Sequence, residues 1–293
     1  MAEEDKRNVN FEEIIQPYTY LKTQTRGKGF RNHLLEVFNI YYCVSVEELE
    51  IIQDFIDILH NSSLLVDDVE DDGTVRRGKT CAHRIYGVAH TINAGNLMYF
   101  KAWEKLMELP VEGLSKIFVD SMIKLHIGQG TELCWRNAKE CPSEEEYLQM
   151  VVGKTGELFR LGVRVMACVQ ESRAGSKRPN NDPVTGLLEQ YCDILGMIYQ
   201  IKNDLENLQY EEHAAAEGLD TEVFAHDLKE RKYSLPILYW LRRKGSSGTG
   251  WDNEKDLTSF ENRLQISQEI RASGGIKYSL NKMIQLKQQG LDL

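Results

Sequence analysis

Long segments with apolar residues at helical spacing limit most strongly what this chain can form. The 293 residues contain only six prolines, and a proline inside a helix removes a backbone hydrogen bond and ends or kinks the helix. In one segment Leu49, Ile52, Ile56, Leu59 and Ser63 follow each other at intervals of three and four, which places them on one side of a helix. No segment alternates apolar and polar residues for long enough to predict a strand. The pattern predicts an all-α chain.

Helix starts and loops can be located from short motifs. Ser45 with Glu48, and Ser143 with Glu146, have the spacing of a capping box at the first turn of a helix. The second of these helices is predicted to continue through Leu158. The glycine-containing stretches 175–183 and 245–250 predict surface loops. Because neither is long enough to separate two domains, we expect a single all-α domain over residues 1–293.

Composition narrows the classes of function. The net charge of −10 argues against a nucleic-acid backbone as the main partner, because phosphate binding along a duplex needs a basic face. The six cysteines have no CxxC spacing and mostly lie in apolar helical patterns, so we expect buried free thiols, no disulfides and no zinc. The acidic first residues resemble neither a secretory signal nor a transit peptide, and no apolar run reaches about 18 residues. We therefore expect a cytoplasmic protein.

An acidic cluster follows an apolar helical segment and precedes two arginines. Asp67 and Asp71 are four residues apart and point the same way on a helix, with Asp68 beside them. Like charges in this arrangement repel, and carboxylates of this kind suit Mg²⁺, which keeps several waters and bridges to substrate phosphates. Arg76 and Arg77 carry guanidinium groups, which bind phosphate oxygens well. The cluster predicts a site for a diphosphate and magnesium.

A solvated acidic helix end followed by a basic turn is the alternative interpretation of that cluster. The residues directly before it, Leu64, Leu65 and Val66, are apolar and favour a deep position instead. A second polar cluster places Asn203 and Asn207, with Glu211, on one side of another helix. Amide oxygens are weaker metal ligands than carboxylates, so a plain polar helix face is an equally good interpretation of the second cluster.

Basic residues beside glycines or at helix ends are further candidates for binding phosphate. They are Lys28, Arg31, Lys154 with its neighbour Thr155, and Lys232. Taken one at a time, each of these residues predicts an ordinary solvated side chain.

Together these motifs resemble a known family. "GKGFR", "LHNSSLLVDDVEDDGTVRRG", "LHIGQGTELCWR", "KTGELF", "YQIKND" and "RKYSLP" are similar to motifs of the trans-isoprenyl diphosphate synthases, and especially of eukaryotic geranylgeranyl diphosphate synthases. The likeness covers nearly the whole chain. It implies the isoprenoid synthase fold, an all-α helical bundle around a deep central cavity, a dependence on Mg²⁺ and a homodimer.

The resemblance also implies roles for individual residues at the first diphosphate. The magnesium ligands would be Asp67, Asp68 and Asp71, with Asn203 and Asn207 as candidates in the second motif. The residues that bind the allylic diphosphate would be Arg76, Lys154, Thr155, Gln200 and Lys232. The three aspartates, Lys154 and Gln200 would be catalytic, because they neutralise charge as the diphosphate leaves and steady the allylic cation.

The resemblance also assigns residues to the pockets for the second substrate and for the prenyl chain. The pocket for the second phosphorylated substrate would consist of Lys28, Arg31, His60 and Arg77. His60 on an apolar helix would otherwise predict a satisfied core histidine. Ser62 and Ser63 precede Asp67 by five and four residues, where small side chains leave the pocket open, so we expect it to admit a geranylgeranyl chain.

The chain departs from the family pattern at three positions. Asn203 replaces the first aspartate of the second motif and removes a negative charge where magnesium would bind. Glu222 stands where a lysine is usual, and Glu132 where an aspartate is common.

Four functions are compatible with this pattern. We favour transfer of a geranylgeranyl group to a phosphorylated aromatic acceptor, C3 of indole-3-glycerol phosphate, because the pattern resembles the fungal transferases of indole-diterpene biosynthesis. The alternative is a geranylgeranyl diphosphate synthase that condenses farnesyl and isopentenyl diphosphates. A terpene cyclase would use Asn203, Asn207 and Glu211 as its metal triad but needs no second phosphate pocket. A non-catalytic regulatory subunit would tend to lose the first aspartate motif. The sequence leaves the acceptor and the regiochemistry open.

Overall fold

The computed structural model describes residues 10–24, 29–174, 182–208, 224–245 and 256–293. Within these ranges the chain is almost entirely helical, so the all-α prediction is confirmed. The chain divides into two compact units, Met1–Leu114 and Ser115–Leu293. Among the described helices, none combines the length and the apolar character that a membrane span requires.

Two long helices in contact, α4 (Val46–Glu70) and α6 (Val88–Leu106), form the centre of the first unit. Gly95 of α6 allows this close approach, since a Cβ atom there would lie 3.0 Å from Val66 Cγ2. Leu65 and Met98 pack with Tyr18 and Leu21 into a small core. The other helices of this unit are α1 (Phe11–Ile14), α2 (Gln16–Gln24), α3 (Phe30–Tyr42) and α5 (Ala82–Tyr86).

A short antiparallel hairpin follows α4, and the sequence did not predict it. Strands β1 (Val75–Arg76) and β2 (Lys79–Thr80) have two residues each, too few to produce a visible alternation of apolar and polar residues. Arg77 and Gly78 form the turn with φ angles of 53° and 76°. Positive φ at both central residues is the signature of a type I′ turn, whose twist matches that of paired strands.

The predicted capping boxes are present at both helix starts. Ser45 Oγ accepts a hydrogen bond from the Glu48 backbone N–H at 3.2 Å, and Glu48 accepts one from the Ser45 N–H at 2.8 Å. Ser143 and Glu146 make the same reciprocal pair at the start of α8 (Glu144–Val151). Capping fixes where these helices begin, because it satisfies backbone N–H groups that have no partner inside the helix.

The helix that begins after Ser143 continues past Leu158, as predicted, but it contains a wider turn that the sequence did not predict. A π turn (Val152–Gly156) separates α8 from α9 (Glu157–Ala174). Two glycines of neighbouring helices contact this turn: a Cβ atom on Gly128 would lie 2.5 Å from Lys154 N, and one on Gly196 would lie 2.6 Å from Gly156 Cα. The wider π turn therefore has backbone packed against it from two sides.

The second unit has one large apolar core. Tyr147, Ile201, Leu235 and Trp240 belong to it. The remaining helices of this unit are α7 (Leu114–Ala138), α10 (Pro183–Asn207), α11 (His226–Lys229), α12 (Leu235–Arg243), α13 (Phe260–Ser273) and α14 (Gly275–Leu291).

The cysteines differ in their exposure. Cys81 and Cys192 are buried, as expected. Cys43 and Cys134 are exposed, so the expectation of buried thiols is wrong for these two. Cys43 follows the last residue of α3 in a left-handed conformation, and its Sγ lies 3.5 Å from the Ile40 carbonyl.

Candidate functional site

The three aspartates of the first cluster lie at the carboxyl end of α4. Asp68 and Asp71 are buried, and Asp67 is half-buried. The backbone carbonyls at this end of a helix add negative charge, so a nearby cation is needed. Arg76 on β1 supplies it, because its Nε donates to Asp68 Oδ1 at 2.7 Å and its Nη2 donates to Asp67 Oδ2 at 2.9 Å.

Burial and pairing have opposite effects on these charges. Burial raises the pKa of Asp68, and the Arg76 guanidinium opposes that rise. Burial lowers the pKa of Arg76, but the Asp68 and Asp67 carboxylates outweigh this effect and raise it overall. The two aspartates and the arginine therefore form a partly buried ion-paired group.

The donor set at this end of α4 fits magnesium. Asp68 Oδ2 is buried and has no hydrogen-bond partner within the described chain. A desolvated carboxylate oxygen of this kind suits a hard cation, and Mg²⁺ takes one or two carboxylates together with substrate phosphates. In the arrangement seen, no three His, Cys, Asp or Glu side chains of the described residues form a metal-binding group. The magnesium role of Asp67, Asp68 and Asp71 stays a prediction.

A second cluster of positive charge surrounds His60, also on α4. Arg77 Nη2 lies 3.4 Å from His60 Nε2. Partial burial and the charges of Arg31 and Arg77 hold the pKa of His60 well below its ordinary value. His60 is therefore neutral, and because a guanidinium can only donate, His60 Nε2 accepts. Positive charge gathered around a neutral histidine suits a phosphate anion. Lys28, the fourth residue predicted for this pocket, lies outside the described residues.

The hairpin divides its two arginines between these clusters. Arg76 on β1 reaches Asp67 and Asp68, whereas Arg77 in the turn reaches His60. Arg77 has a left-handed conformation with φ of 53°, which turns the chain directly after Arg76, so these adjacent residues can serve two sites.

The two predicted chain-length serines are not equivalent. Ser62 is fully buried; its hydroxyl donates to the Ile58 carbonyl at 2.7 Å, and its own carbonyl faces Gly95 of α6. Ser63 is half-buried and donates to the His60 carbonyl at 2.8 Å. Of the two, Ser63 is the one with surface to offer a substrate, and its role stays a prediction.

In the second unit, the π turn presents Lys154 and Thr155. Lys154 Nζ forms an ion pair with Glu132 Oε2 of α7 at 2.5 Å. Thr155 Oγ1 donates to Gln200 Oε1 of α10 at 3.2 Å. The structure thus brings together two residues that the sequence separates by 45 positions and that were predicted for the same diphosphate. Short π segments inside α-helices are frequent at functional sites.

Asp204 and Tyr147 are polar residues of this region that the sequence analysis did not single out. Gln200 Nε2 donates to Asp204 Oδ1 at 2.9 Å, and the Tyr147 hydroxyl donates to Asp204 Oδ2 at 2.5 Å. Asp204 could have been recognised, because it lies four residues after Gln200 on the same helix face. Tyr147 could not, because its partner is 57 residues away in the chain.

Lys232 lies in a group of charged side chains around α11. Its Nζ pairs with Glu230 Oε2 at 2.6 Å, and Glu230 also pairs with His226. Burial raises the pKa of Asp227, and the Lys232 charge opposes that rise. Lys232 therefore balances the negative charge of these carboxylates.

The predicted amide ligands of the second motif have different surroundings. Asn203 is exposed on α10. Asn207 Oδ1 accepts a hydrogen bond from the Asp227 backbone N–H at 3.1 Å, so this oxygen helps to start α11. Glu211 and Glu222 lie outside the described residues. The metal roles of Asn203 and Asn207 stay predictions.

The chain is similar to a known protein family and to several individual proteins. The pattern of the polyprenyl synthetase family matches residues 11–263. Geranylgeranyl pyrophosphate synthase D of Phomopsis amygdali is 36% identical over 293 residues, which is 99% of this chain and 64% of that protein. Geranylgeranyl pyrophosphate synthase idtG of Claviceps paspali is 39% identical over 238 residues, which is 81% of this chain and 66% of that protein.

A third relative is similar over most of its own length. The geranylgeranyl pyrophosphate synthase of Dictyostelium discoideum is 35% identical over 277 residues, which is 94% of this chain and 86% of that protein. By contrast, the chain spans slightly less than two thirds of the Phomopsis and Claviceps proteins.

Proposed function

This chain belongs to the polyprenyl synthetase family, and we propose that it condenses an allylic prenyl diphosphate with isopentenyl diphosphate, as a geranylgeranyl diphosphate synthase does. The neutral His60 beside Arg31 and Arg77 carries the part of the proposal that requires a second phosphorylated substrate. A reaction of one prenyl diphosphate alone, such as cyclisation, needs no second phosphate pocket. The relatives named above, all called geranylgeranyl pyrophosphate synthases, support the same choice.

The charged residues have matching tasks in this reaction. The family resemblance assigns Arg76, Lys154 and Lys232 to the allylic diphosphate, and it assigns Arg31, His60 and Arg77 to the diphosphate of isopentenyl diphosphate. When bound by Asp67, Asp68 and Asp71, Mg²⁺ supplies further neutralisation of the departing diphosphate. Thr155 and Gln200 carry no charge, so they orient the allylic diphosphate and do not neutralise it.

The proposed chemistry is a substitution through an allylic cation. The allylic C–O bond breaks and diphosphate leaves with the electron pair. The terminal double bond of isopentenyl diphosphate attacks the cation and forms the new C–C bond. The released diphosphate then accepts a proton from the carbon next to the new cationic centre, and a double bond forms there. The basic side chains stabilise the transition state because negative charge grows on the diphosphate as the bond breaks.

A second candidate function rests on Asn203. This exposed amide stands where the family has a carboxylate, and it lowers the negative charge available to a metal at the second motif. The fungal transferases that prenylate C3 of indole-3-glycerol phosphate show a similar pattern. Their acceptor carries a phosphate, which the pocket around His60 suits equally well.

Three parallel reactions distinguish the candidates. The purified 293-residue chain with Mg²⁺ receives farnesyl and isopentenyl diphosphates, or geranylgeranyl diphosphate with indole-3-glycerol phosphate, or geranylgeranyl diphosphate alone. We expect geranylgeranyl diphosphate from the first reaction. Product from the second reaction only would replace the proposal by aromatic transfer, and a cyclic hydrocarbon from the third would indicate a cyclase.

The phosphate pocket gives an internal control for the first reaction. Arg77→Ala is expected to raise the KM for isopentenyl diphosphate about tenfold, a loss of about 1.4 kcal/mol of binding, because it removes one charge from that pocket. The KM for farnesyl diphosphate is expected to change less than about twofold. Absence of product in every reaction would favour a non-catalytic subunit.

A further inference from the structure

Asp204 is the acidic residue that remains at the second motif, and protein donors occupy both of its carboxylate oxygens. Oδ1 accepts from Gln200 Nε2 at 2.9 Å. Oδ2 accepts from the Tyr147 hydroxyl at 2.5 Å and from the Leu235 backbone N–H at 3.1 Å. These donors come from α8, α10 and the first residue of α12, and the Asp204 residue is only 3% exposed. The carboxylate is therefore fixed from three directions.

The carboxylate decides which way the Gln200 amide points. Burial raises the pKa of Asp204, and the hydrogen bonds from Tyr147, Gln200 and the Leu235 backbone oppose that rise. Asp204 Oδ1 accepts from the NH₂ end of the Gln200 amide, which is the only end of an amide that can donate. Rotating the Gln200 amide by half a turn would place its oxygen against Asp204 Oδ1, with two acceptors in contact. In the observed orientation Gln200 Oε1 points to Thr155 and accepts its hydroxyl at 3.2 Å.

Tyr147 stabilises this arrangement from the other side. Its side chain is among the largest of the fully buried ones. Burial and the Asp204 charge raise the pKa of Tyr147 well above its ordinary value, so the phenol keeps its proton and donates a hydrogen bond to Asp204 Oδ2. With Oδ2 held by Tyr147 and Leu235, Oδ1 is left for Gln200.

We propose that Asp204 is a positioning residue that sets the orientation of the Gln200 amide and, through it, of the Thr155 hydroxyl. The inference deepens the proposed function and rests on it for what Gln200 and Thr155 do to the allylic diphosphate. The negative end of the Gln200 amide dipole then has one fixed direction, so no orientation energy is spent when the allylic cation forms. In this chain the second motif thus acts on the substrate through Gln200, whereas the Asp204 carboxylate makes hydrogen bonds within the protein.

A pair of tyrosine variants tests the inference. Tyr147→Phe removes one hydroxyl and leaves Asp204 in place. Tyr278→Phe is the matched control, because the Tyr278 hydroxyl also donates to a carboxylate at 2.5 Å, that of Glu144, which has no link to Gln200. The first readout is the side-chain NH₂ signal of Gln200 in ¹⁵N–¹H NMR spectra, assigned by its disappearance in Gln200→Leu. We expect Tyr147→Phe to shift or broaden this signal and Tyr278→Phe to leave it in place.

Kinetics supply the second readout. Tyr147→Phe is expected to lower kcat about tenfold while the KM for the allylic diphosphate changes less than about threefold, and Tyr278→Phe is expected to stay within about twofold of wild type. In a Gln200→Ala background Tyr147→Phe should lower kcat by less than about twofold, because its effect passes through Gln200.

Two results would overturn the inference: an unmoved Gln200 signal in Tyr147→Phe, or a tenfold loss that persists in the Gln200→Ala background. The NMR measurement needs no substrate. A shifted signal in a protein that forms no product from isopentenyl diphosphate would therefore reject the proposed function and leave the positioning role intact.

Discussion

Two adjacent arginines show how much depends on single residues here. Arg76 neutralises the Asp67 and Asp68 carboxylates, and Arg77 contributes to the positive surroundings of His60. The aspartates and arginines were recognised from their sequence pattern because their spacing is short. The ion pairs between them were not, because a turn with two positive φ angles decides which arginine faces which partner.

The ion pairs of Arg76 predict a competition with magnesium. Arg76→Gln leaves Asp67 and Asp68 without their cation, so we expect a loss of about 2 kcal/mol in the free energy of unfolding, between the values for exposed and buried pairs. An excess of Mg²⁺ should restore more stability to this variant than to wild type, measured by thermal unfolding. Arg84→Gln is the control: its partner Asp72 has a side chain that is 83% exposed, and the cost should be about 1 kcal/mol or less. An identical response to Mg²⁺ in wild type and Arg76→Gln would contradict this prediction.

The lowered pKa of His60 predicts a pH dependence of stability. Below its unfolded pKa of about 6.5 the unfolded chain binds a proton that folded His60 does not bind, so stability falls as the pH falls through this value. When the pH falls from about 7.5 to about 5.5, we expect His60 to lower the free energy of unfolding by about 1 kcal/mol. Urea unfolding at both pH values measures it as the difference between wild type and His60→Asn. Arg77→Ala, which removes one of the charges that lower the pKa, should give an intermediate pH response; equal responses in all three proteins would refute the assignment.

Among the elements, the π turn Val152–Gly156 is closely packed against two neighbouring helices. Backbone of α7 and α10 reaches it at Gly128 and Gly196, where a side chain would collide with main-chain atoms. Its glycines were visible in the sequence within "GKTG". The turn itself was not, because a single extra residue leaves the apolar spacing on either side nearly unchanged.

A methyl group at Gly196 tests that contact. Gly196→Ala would place Cβ 2.6 Å from Gly156 Cα, so the π turn must shift. We expect a loss of about 2 kcal/mol in unfolding free energy and a lower kcat, because Lys154 and Thr155 move with the turn. Gly186→Ala on the same helix has open space within 4 Å, and it should stabilise the protein by about 0.8 kcal/mol. Chemical denaturation of both variants decides the prediction, and equal stabilities would disprove it.

Local signals explain which elements the sequence could predict. Both capping boxes were found because Ser–x–x–Glu is a contiguous motif whose hydrogen bonds close within one turn. The hairpin at Val75–Thr80 escaped because strands of two residues carry no periodicity. Ser62 was assigned to a pocket from its position before Asp67, yet the packing of α4 on α6 buries it.

At the scale of the whole molecule, each unit leaves apolar side chains exposed on a long helix. In the first unit they are Val88, Ile92, Phe100, Trp103 and Met107, along and just beyond α6. In the second they are Val119, Ile123 and Ile127 on α7. Contiguous apolar surface of this kind is typical of an interface.

The fold and the family could be predicted from the sequence, because many motifs of the family occur in the same order along this chain. The acceptor could not be predicted, because His60, Arg31 and Arg77 recognise a phosphate and not the group that carries it.

These surfaces support the prediction of a homodimer. Light scattering after size exclusion should give twice the mass of one chain. Phe100→Glu, at a residue that is 66% exposed, should shift the protein towards monomer, because a desolvated charge is costly in an interface. Ile40→Glu on α3 is the control: that residue is 80% exposed, and its variant should stay dimeric. A monomeric wild-type protein would exclude the dimer.

The uneven exposure of the cysteines provides natural labelling positions. Cys43 and Cys134 are exposed, one in each compact unit, whereas burial raises the pKa of Cys81 to about 12 and also raises the pKa of Cys192. Burial raises the pKa of the half-buried Cys141 and Cys168 as well, so the exposed thiols should react first with maleimide dyes. A donor–acceptor fluorophore pair can thus follow the distance between the two units, with and without substrate, in the unaltered chain.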